Sequence, residues 1–162
     1  MVISVGDALP EAKLQKVGAE GPEVVDLNAM AAGGKVAVFA VPGAFTGTCS
    51  TVHMPSFIRN AEKFREKGVA EIVCVAVNDI FVMDEWSKAT GAGDAGIHLL
   101  ADGDSSFTKA MGMDFTAPPV GLIDRSKRYA MLVEDGKITA LEVEANPGEC
   151  SISSGESLLD KV

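Results

Sequence analysis

The sequence predicts an α/β protein, with a central mixed β-sheet flanked by helices on both faces. Three observations carry that prediction. Val36–Val41 and Ile72–Val77 are unbroken apolar runs, as expected of strands covered on both sides of a sheet. Each is followed by a helical pattern, the order in which crossovers join parallel strands. Towards the other end, Arg128–Val133 and Lys137–Val143 alternate around Glu134-Asp135-Gly136, a hairpin signal that adds antiparallel strands.

Taken in order, the first 30 residues read as loop with short strands at Lys13–Val17 and Glu23–Leu27, divided by Gly18 to Pro22. A helix is expected from about Thr48 to Glu66, with Phe57, Ala61 and Phe64 on one face, stopping at Gly68. Lys63, Arg65 and Lys67 suit its C-terminal end. Asn78 or Asp79 caps the next helix, which carries Phe81, Val82, Glu85 and Trp86 and fades by Gly91. Ile97–Ala101 is a short strand, Ser105–Met111 a short helix and Val120–Ile123 another strand. Ser153–Lys161 forms the last helix, with Ser153 and Glu156 at capping-box spacing. Gly91-Ala92-Gly93-Asp94-Ala95-Gly96 matches G-x-G-x-x-G, but it follows a helix and leads into a strand. That is the reverse of a dinucleotide-binding turn.

At 162 residues, 47% of them hydrophobic, one compact domain over 1–162 is expected. The 14 basic and 23 acidic residues give a net charge of −9 without a basic stripe, which argues against a nucleic-acid partner. No apolar stretch reaches membrane-spanning length, and no secretory signal pattern opens the chain. Three widely spaced cysteines do not make a disulfide framework, so a reducing compartment is expected. The cytoplasm fits, as does an organelle after loss of a targeting peptide. Two histidines and no Cys-x-x-Cys pair argue against a metal site.

Chemistry concentrates in Pro42-Gly43-Ala44-Phe45-Thr46-Gly47-Thr48-Cys49, directly after the first buried strand. Cys49 falls in the first turn of a helix, where unpaired N–H groups and the helix dipole favour a thiolate. Thr46 lies three residues earlier, so its hydroxyl can turn toward the sulfur. Pro42 shields one side, and Gly43 and Gly47 let the backbone approach a small substrate. His53, one turn beyond Cys49, is the segment's one candidate base and could assist a thiolate electrostatically, but an i+4 side chain on a helix more often packs or hydrogen-bonds locally.

These residues resemble the peroxiredoxin pattern Pro-x-x-x-Thr-x-x-Cys, here Pro42, Thr46 and Cys49. The longer form through Ser50 and His53 is similar to the type 5 peroxiredoxins. Val5-Gly6-Asp7-x-Leu9-Pro10, Val77-Asn78-Asp79-x-Phe81-Val82-Met83 and Arg125-Ser126-Lys127-Arg128-Tyr129 extend the likeness along nearly the whole chain. The resemblance implies a thioredoxin-like fold and thiol-dependent reduction of hydrogen peroxide or organic hydroperoxides, with no metal, flavin or other bound cofactor. It makes Cys49 the peroxidatic nucleophile, cycling through a sulfenic acid, and Arg125 the arginine over the sulfur. Pro42, Gly43, Thr46 and Thr48 would form the peroxide site. It further implies glutathione, glutaredoxin or thioredoxin as reductant, and a homodimer. Gly47 stands where the family usually has proline, and Ser56 where it commonly has glycine, which implies a more mobile loop.

Cys150 either resolves the sulfenic acid as a disulfide or is a bystander; the sequence leaves both open. Cys74, inside an apolar strand, reads as structural. Lys127 and Arg128 read as surface charges, and His98 as structural. Phe81 and Trp86 read as core or, by the resemblance, as part of a dimer interface. A dithiol oxidoreductase and a redox sensor are the alternatives to a peroxidase.

Overall fold

A computed structural model describes residues 2–162. Its main sheet has seven strands in the order β2-β1-β5-β4-β3-β8-β9. The strands are β1 (Lys13–Gly18), β2 (Gly21–Asp26), β3 (Lys35–Val41), β4 (Val69–Ala76), β5 (Ile97–Ala101), β8 (Tyr129–Glu134) and β9 (Lys137–Val143). β3, β4 and β5 are parallel neighbours, with Val38 opposite Val73 and Cys74 opposite Leu99. β8 joins β3 antiparallel, and β1 and β2 close the other edge. The sheet is therefore mixed, with the two apolar runs at its centre as expected.

Side chains of β3 divide by parity between two cores. Ala37, Phe39 and Val41 face one, with Phe57, Phe64, Cys74 and Trp86; Val36, Val38 and Ala40 face the other, with Phe107, Tyr129 and Met131. The first core is covered by α2 (Met54–Glu66), α3 (Ile80–Thr90) and α5 (Gly155–Leu159). Phe57 stacks on Phe39 at 3.9 Å between centroids, which seats α2 on the sheet. The second core takes in α1 (Leu27–Ala31) and α4 (Ser106–Ala110).

Four local expectations need correction. Asp26 ends β2 and caps α1 by accepting from the Ala29 N–H, so Leu27 opens a helix rather than closing a strand. Pro118–Val120 is a 3-10 turn, and the strand follows it as β7 (Leu122–Ser126), paired with β6 (Asp114–Ala117) in a separate two-stranded sheet. Two prolines fix the backbone there, and Gly121 at φ +73° ends the turn. Ser154, not Ser153, caps the last helix, accepting from the Ser157 N–H.

The fourth correction bears on the site. Cys49–His53 forms a π-helical turn ahead of α2, with the Met54 N–H bonded to the Cys49 carbonyl five residues back. Pro55 supplies the reason: it has no N–H, and its ring would meet the Thr51 carbonyl in a regular α-helix. A wider turn removes that clash. The Ser56 hydroxyl takes up the His53 carbonyl at 2.6 Å.

Candidate active site

β3 and β4 end side by side, and the loops that leave them are tied together. The Ala44 N–H donates to Asn78 Oδ1 at 3.0 Å, so Asn78 holds the Cys49 loop while Asp79 caps α3. This is the C-terminal edge of the parallel strands, where α/β sheets place their sites. The Thr46 hydroxyl donates to the Gly43 carbonyl at 2.8 Å. Its proton is committed to the backbone, and its lone pairs are left to accept. The first intrahelical bond runs from the Ser50 N–H to the Thr46 carbonyl, so the N–H groups of Gly47, Thr48 and Cys49 precede it. The expected first-turn position of Cys49 is found.

Cys49 is wholly buried. Its sulfur accepts from an arginine, but the arginine is Arg128, at 3.0 Å from Nη2 to Sγ. Arg125 instead donates from Nη1 to the Pro42 carbonyl at 3.2 Å and is partly exposed. Both expectations are corrected: Arg125 braces the loop, and Arg128 is a buried side chain at 1% exposure, not a surface charge. The physical reason is strand parity. Arg128 immediately precedes β8 and shares a face with Ala130 and Leu132, which lie in the same core as Cys49. That signal was present in the sequence.

The remaining bonds of Arg128 go to neutral acceptors: Nε to the Pro147 carbonyl at 3.1 Å, and Nη1 to His53 Nδ1 at 2.9 Å. A buried guanidinium without an anion is costly. Among its bonded partners only the Cys49 sulfur can carry negative charge. The pair therefore balances when Cys49 is a thiolate.

His53 is buried too, and its partners fix its tautomer. Nδ1 accepts from Arg128, so the proton sits on Nε2 and donates to the Ser153 carbonyl at 2.9 Å. Burial, aided by the Arg128 charge and opposed by the bond to Ser153, lowers its pKa to about 3. It is neutral at physiological pH, and it hydrogen-bonds across the fold rather than within its own turn.

Cys150 is half-buried and unpaired, and burial first of all pushes its thiol up from the ordinary value. It lies in an irregular segment between β9 and α5. Glu144 anchors that segment, accepting from the N–H and hydroxyl of Ser151 and of Ser153 at 2.6–3.2 Å. Burial opposes its ionisation, but these bonds prevail and hold its pKa below the usual carboxylate value. The Thr48 hydroxyl donates to the Gly148 carbonyl at 2.7 Å, tying the segment to the Cys49 turn. The sequence shows Ser153 only as a helix cap and gives Glu144 no role, because their bonds join a strand end to a loop.

A cleft of about 550 Å³ opens over this end of the sheet. Pro42, Thr46, Gly47 and Thr48 form one side, Asn146–Gly148 another, and Arg128 reaches it. Phe115, Ala117, Val120 and Leu122 of the small sheet and its turn supply an apolar wall. Gly43 is buried beneath, and a Cβ there would displace Arg125 Nη1 and crowd Thr46 Cγ2. Cys74 is fully buried, and burial raises its thiol well above the ordinary value, with a further rise from the Cys49 charge. His98 pairs with Glu71 at 2.7 Å, on the neighbouring strand. Trp86 is core and donates to the Ser50 hydroxyl at 3.0 Å, whereas Phe81 is 69% exposed. Among the described residues no group of three or more His, Cys, Asp or Glu is arranged to hold a metal ion.

The Redoxin family model matches residues 4–159. The chain is 45% identical over 161 residues to the chloroplastic Peroxiredoxin-2E-2 of Oryza sativa subsp. japonica, spanning 97% of this chain and 71% of that protein. It superposes on the crystal structure of reduced Prx3 from Vibrio vulnificus in complex with hydrogen peroxide, with a TM-score of 0.92, 43% identity and 99% of each chain covered. Peroxiredoxin 5 from Alvinella pompejana gives a TM-score of 0.82 at 32% identity over 97% of this chain and 96% of that one.

Proposed function

The chain belongs to the type 5 peroxiredoxins, thiol peroxidases with a thioredoxin-like fold, and on that premise we propose that Cys49 is the peroxidatic residue, with Arg128 as its charge partner. The observation that carries this reading is the buried contact between Arg128 and the Cys49 sulfur. Peroxide enters the cleft beside Pro42 and Thr46. A sulfur lone pair attacks one peroxide oxygen in line with the O–O bond. The S–O bond forms, the O–O bond breaks, and its electron pair leaves on the second oxygen, which takes a proton to become water or an alcohol. Cys49 is oxidised by two electrons to a sulfenic acid.

Negative charge shifts from sulfur to the departing oxygen during this step. Donors aimed at both atoms are worth most there. Arg128 serves the sulfur side, and the free N–H groups of Thr48 and Cys49 face the oxygens. The Thr46 hydroxyl, its proton held by Gly43, accepts from the incoming peroxide. Gly43 keeps the loop close beneath it.

Reduction requires a second thiol, which displaces water from the sulfenic acid and forms a disulfide with Cys49. Glutathione, glutaredoxin or thioredoxin supplies the electrons in this proposal, with Cys150 as an internal resolving thiol where its segment swings in. Cys49 is too buried for a protein thiol to reach directly, so the π-helical turn must open first. A reducing compartment, cytoplasmic or within an organelle, suits this cycle. Phe81 and Phe45, 69% and 56% exposed beside the joined loops, support a homodimer that covers them.

Intact mass after one equivalent of hydrogen peroxide, with no thiol added, tests the assignment. Gain of one oxygen, or loss of two hydrogens as a disulfide forms, is expected in the wild type, and neither in Cys49→Ser. Turnover retained in Cys49→Ser would overturn it.

A further inference from the structure

A continuous line of hydrogen bonds joins the Glu144 carboxylate to the Cys49 sulfur. We propose that Glu144 is a positioning residue for peroxide reduction: through the segment 146–153 and His53 it fixes the Arg128 guanidinium against that sulfur. The inference rests on the reading of Cys49 as the peroxidatic residue.

Each link constrains the next. Arg128 Nη1 can donate to His53 Nδ1 only if that nitrogen is bare. The imidazole proton must then sit on Nε2, and Nε2 needs an acceptor, which is the Ser153 carbonyl at 2.9 Å. Nothing in regular secondary structure holds that carbonyl, since Ser153 precedes α5 and follows an irregular stretch. Glu144 holds it: Oε2 accepts from Ser153 N at 2.8 Å and from Ser153 Oγ at 2.6 Å.

The same carboxylate takes both donors of Ser151, at 2.9 and 3.2 Å, so four hydrogen bonds on one ionised side chain set the path of the segment. The segment grips Arg128 a second time where Nε donates to the Pro147 carbonyl. Two of the three groups that orient the guanidinium thus depend on where this stretch lies. Among the described residues the Glu144 carboxylate bonds to no lysine or arginine and it does not line the cleft. Only the backbone N–H of Glu144 meets Arg128, donating to its carbonyl at 3.0 Å, so the side chain acts through its neighbours rather than on peroxide. Losing it leaves the N–H groups of Ser151 and Ser153 unpaired and frees the Ser153 carbonyl to swing away from Nε2. His53 can then change tautomer and turn an N–H toward Arg128, which dislodges the guanidinium.

A double-mutant cycle tests this, reading the second-order rate constant for loss of the Cys49 thiol in a single turnover with hydrogen peroxide. Urea unfolding midpoints are measured on the same proteins. E144A is expected to react about tenfold more slowly while still folded, less than the roughly hundredfold cost of a fully misplaced group because Arg128 keeps its contact with the sulfur part of the time. E144Q, whose amide oxygen still accepts from Ser153, recovers most of the rate. In the double variant E144A/H53A the E144A change slows the reaction far less than it does in the wild type, because both act on one guanidinium and only the Pro147 contact is left to lose. A wild-type rate in folded E144A, no recovery in E144Q, or effects that multiply in the double variant would each overturn the proposal. A purely structural role lowers the urea midpoint and leaves the rate of the folded protein unchanged. If E144A does not fold, S153A carries the test: it deletes only one hydroxyl and should slow the reaction several-fold (on the order of one lost hydrogen bond). A wild-type rate there would count against the relay. Wild-type protein that fails to consume peroxide, or Cys49→Ser that consumes it equally well, would instead sink the peroxidatic reading itself.

Discussion

At the residue scale, the chemistry turns on how a buried cation is kept in place beside a buried sulfur. Arg128→Ala should slow the reaction of Cys49 with peroxide by roughly a hundredfold or more, the cost of losing the cation that favours a thiolate and the charge beside the reacting atoms. Arg128→Lys keeps the charge but loses the fork that bonds sulfur, His53 and Pro147 together, so it should recover only part of the rate. Stopped-flow or competition kinetics at fixed pH would show both. The segment Arg125-Ser126-Lys127-Arg128 made an arginine near Cys49 legible from sequence, but family likeness pointed to Arg125. Strand parity from Ala130 and Leu132 points instead to Arg128, and the structure follows parity. His53 was legible only as a local hydrogen-bonding residue. Its partners lie 75 and 100 positions away, beyond the reach of any spacing rule.

At the scale of elements, the site depends on the irregular start of α2 and on what packs against it. The Gly155 N–H donates to the Ser56 hydroxyl at 2.8 Å, and a Cβ on Gly155 would collide with the Ser56 carbonyl. The second contact is with backbone of α2 just past the π-helical turn, which cannot move aside as a side chain could. Gly155→Ala should therefore lower unfolding stability by about 1–3 kcal/mol, the usual cost of overpacking. An unchanged urea midpoint would contradict the close approach of α5 to α2. The two central strands and the hairpin were legible because burial on both faces, or on one, leaves a clear period. The π-helical turn was not, although Pro55 marked the place where a regular helix has to yield. β6 escaped because Asp114–Ala117 is short and pairs outside the main sheet.

For the whole molecule, His53 makes folding pH-dependent. The unfolded chain protonates it near 6.5, whereas in the fold it stays neutral down to about 3. Between those values the unfolded state binds the extra proton, so stability falls as pH falls, by up to about 1.4 kcal/mol per pH unit. From pH 6.5 to 5, above the carboxylate range, this slope should flatten in His53→Gln, as urea titrations at a series of pH values would show. Exposed Phe81 and Phe45 lead to a further expectation: sedimentation should give a dimer that weakens in Phe81→Ser. A monomer in the wild type would contradict that.

Peroxide reduction stands on Cys49 and Arg128 acting as a pair. The most direct test compares single-turnover rates of Cys49 oxidation by hydrogen peroxide in Arg128→Ala and Arg125→Ala. Roughly a hundredfold loss in the first and less than about tenfold in the second is the predicted result. Equal losses, or the larger loss in Arg125→Ala, would contradict it.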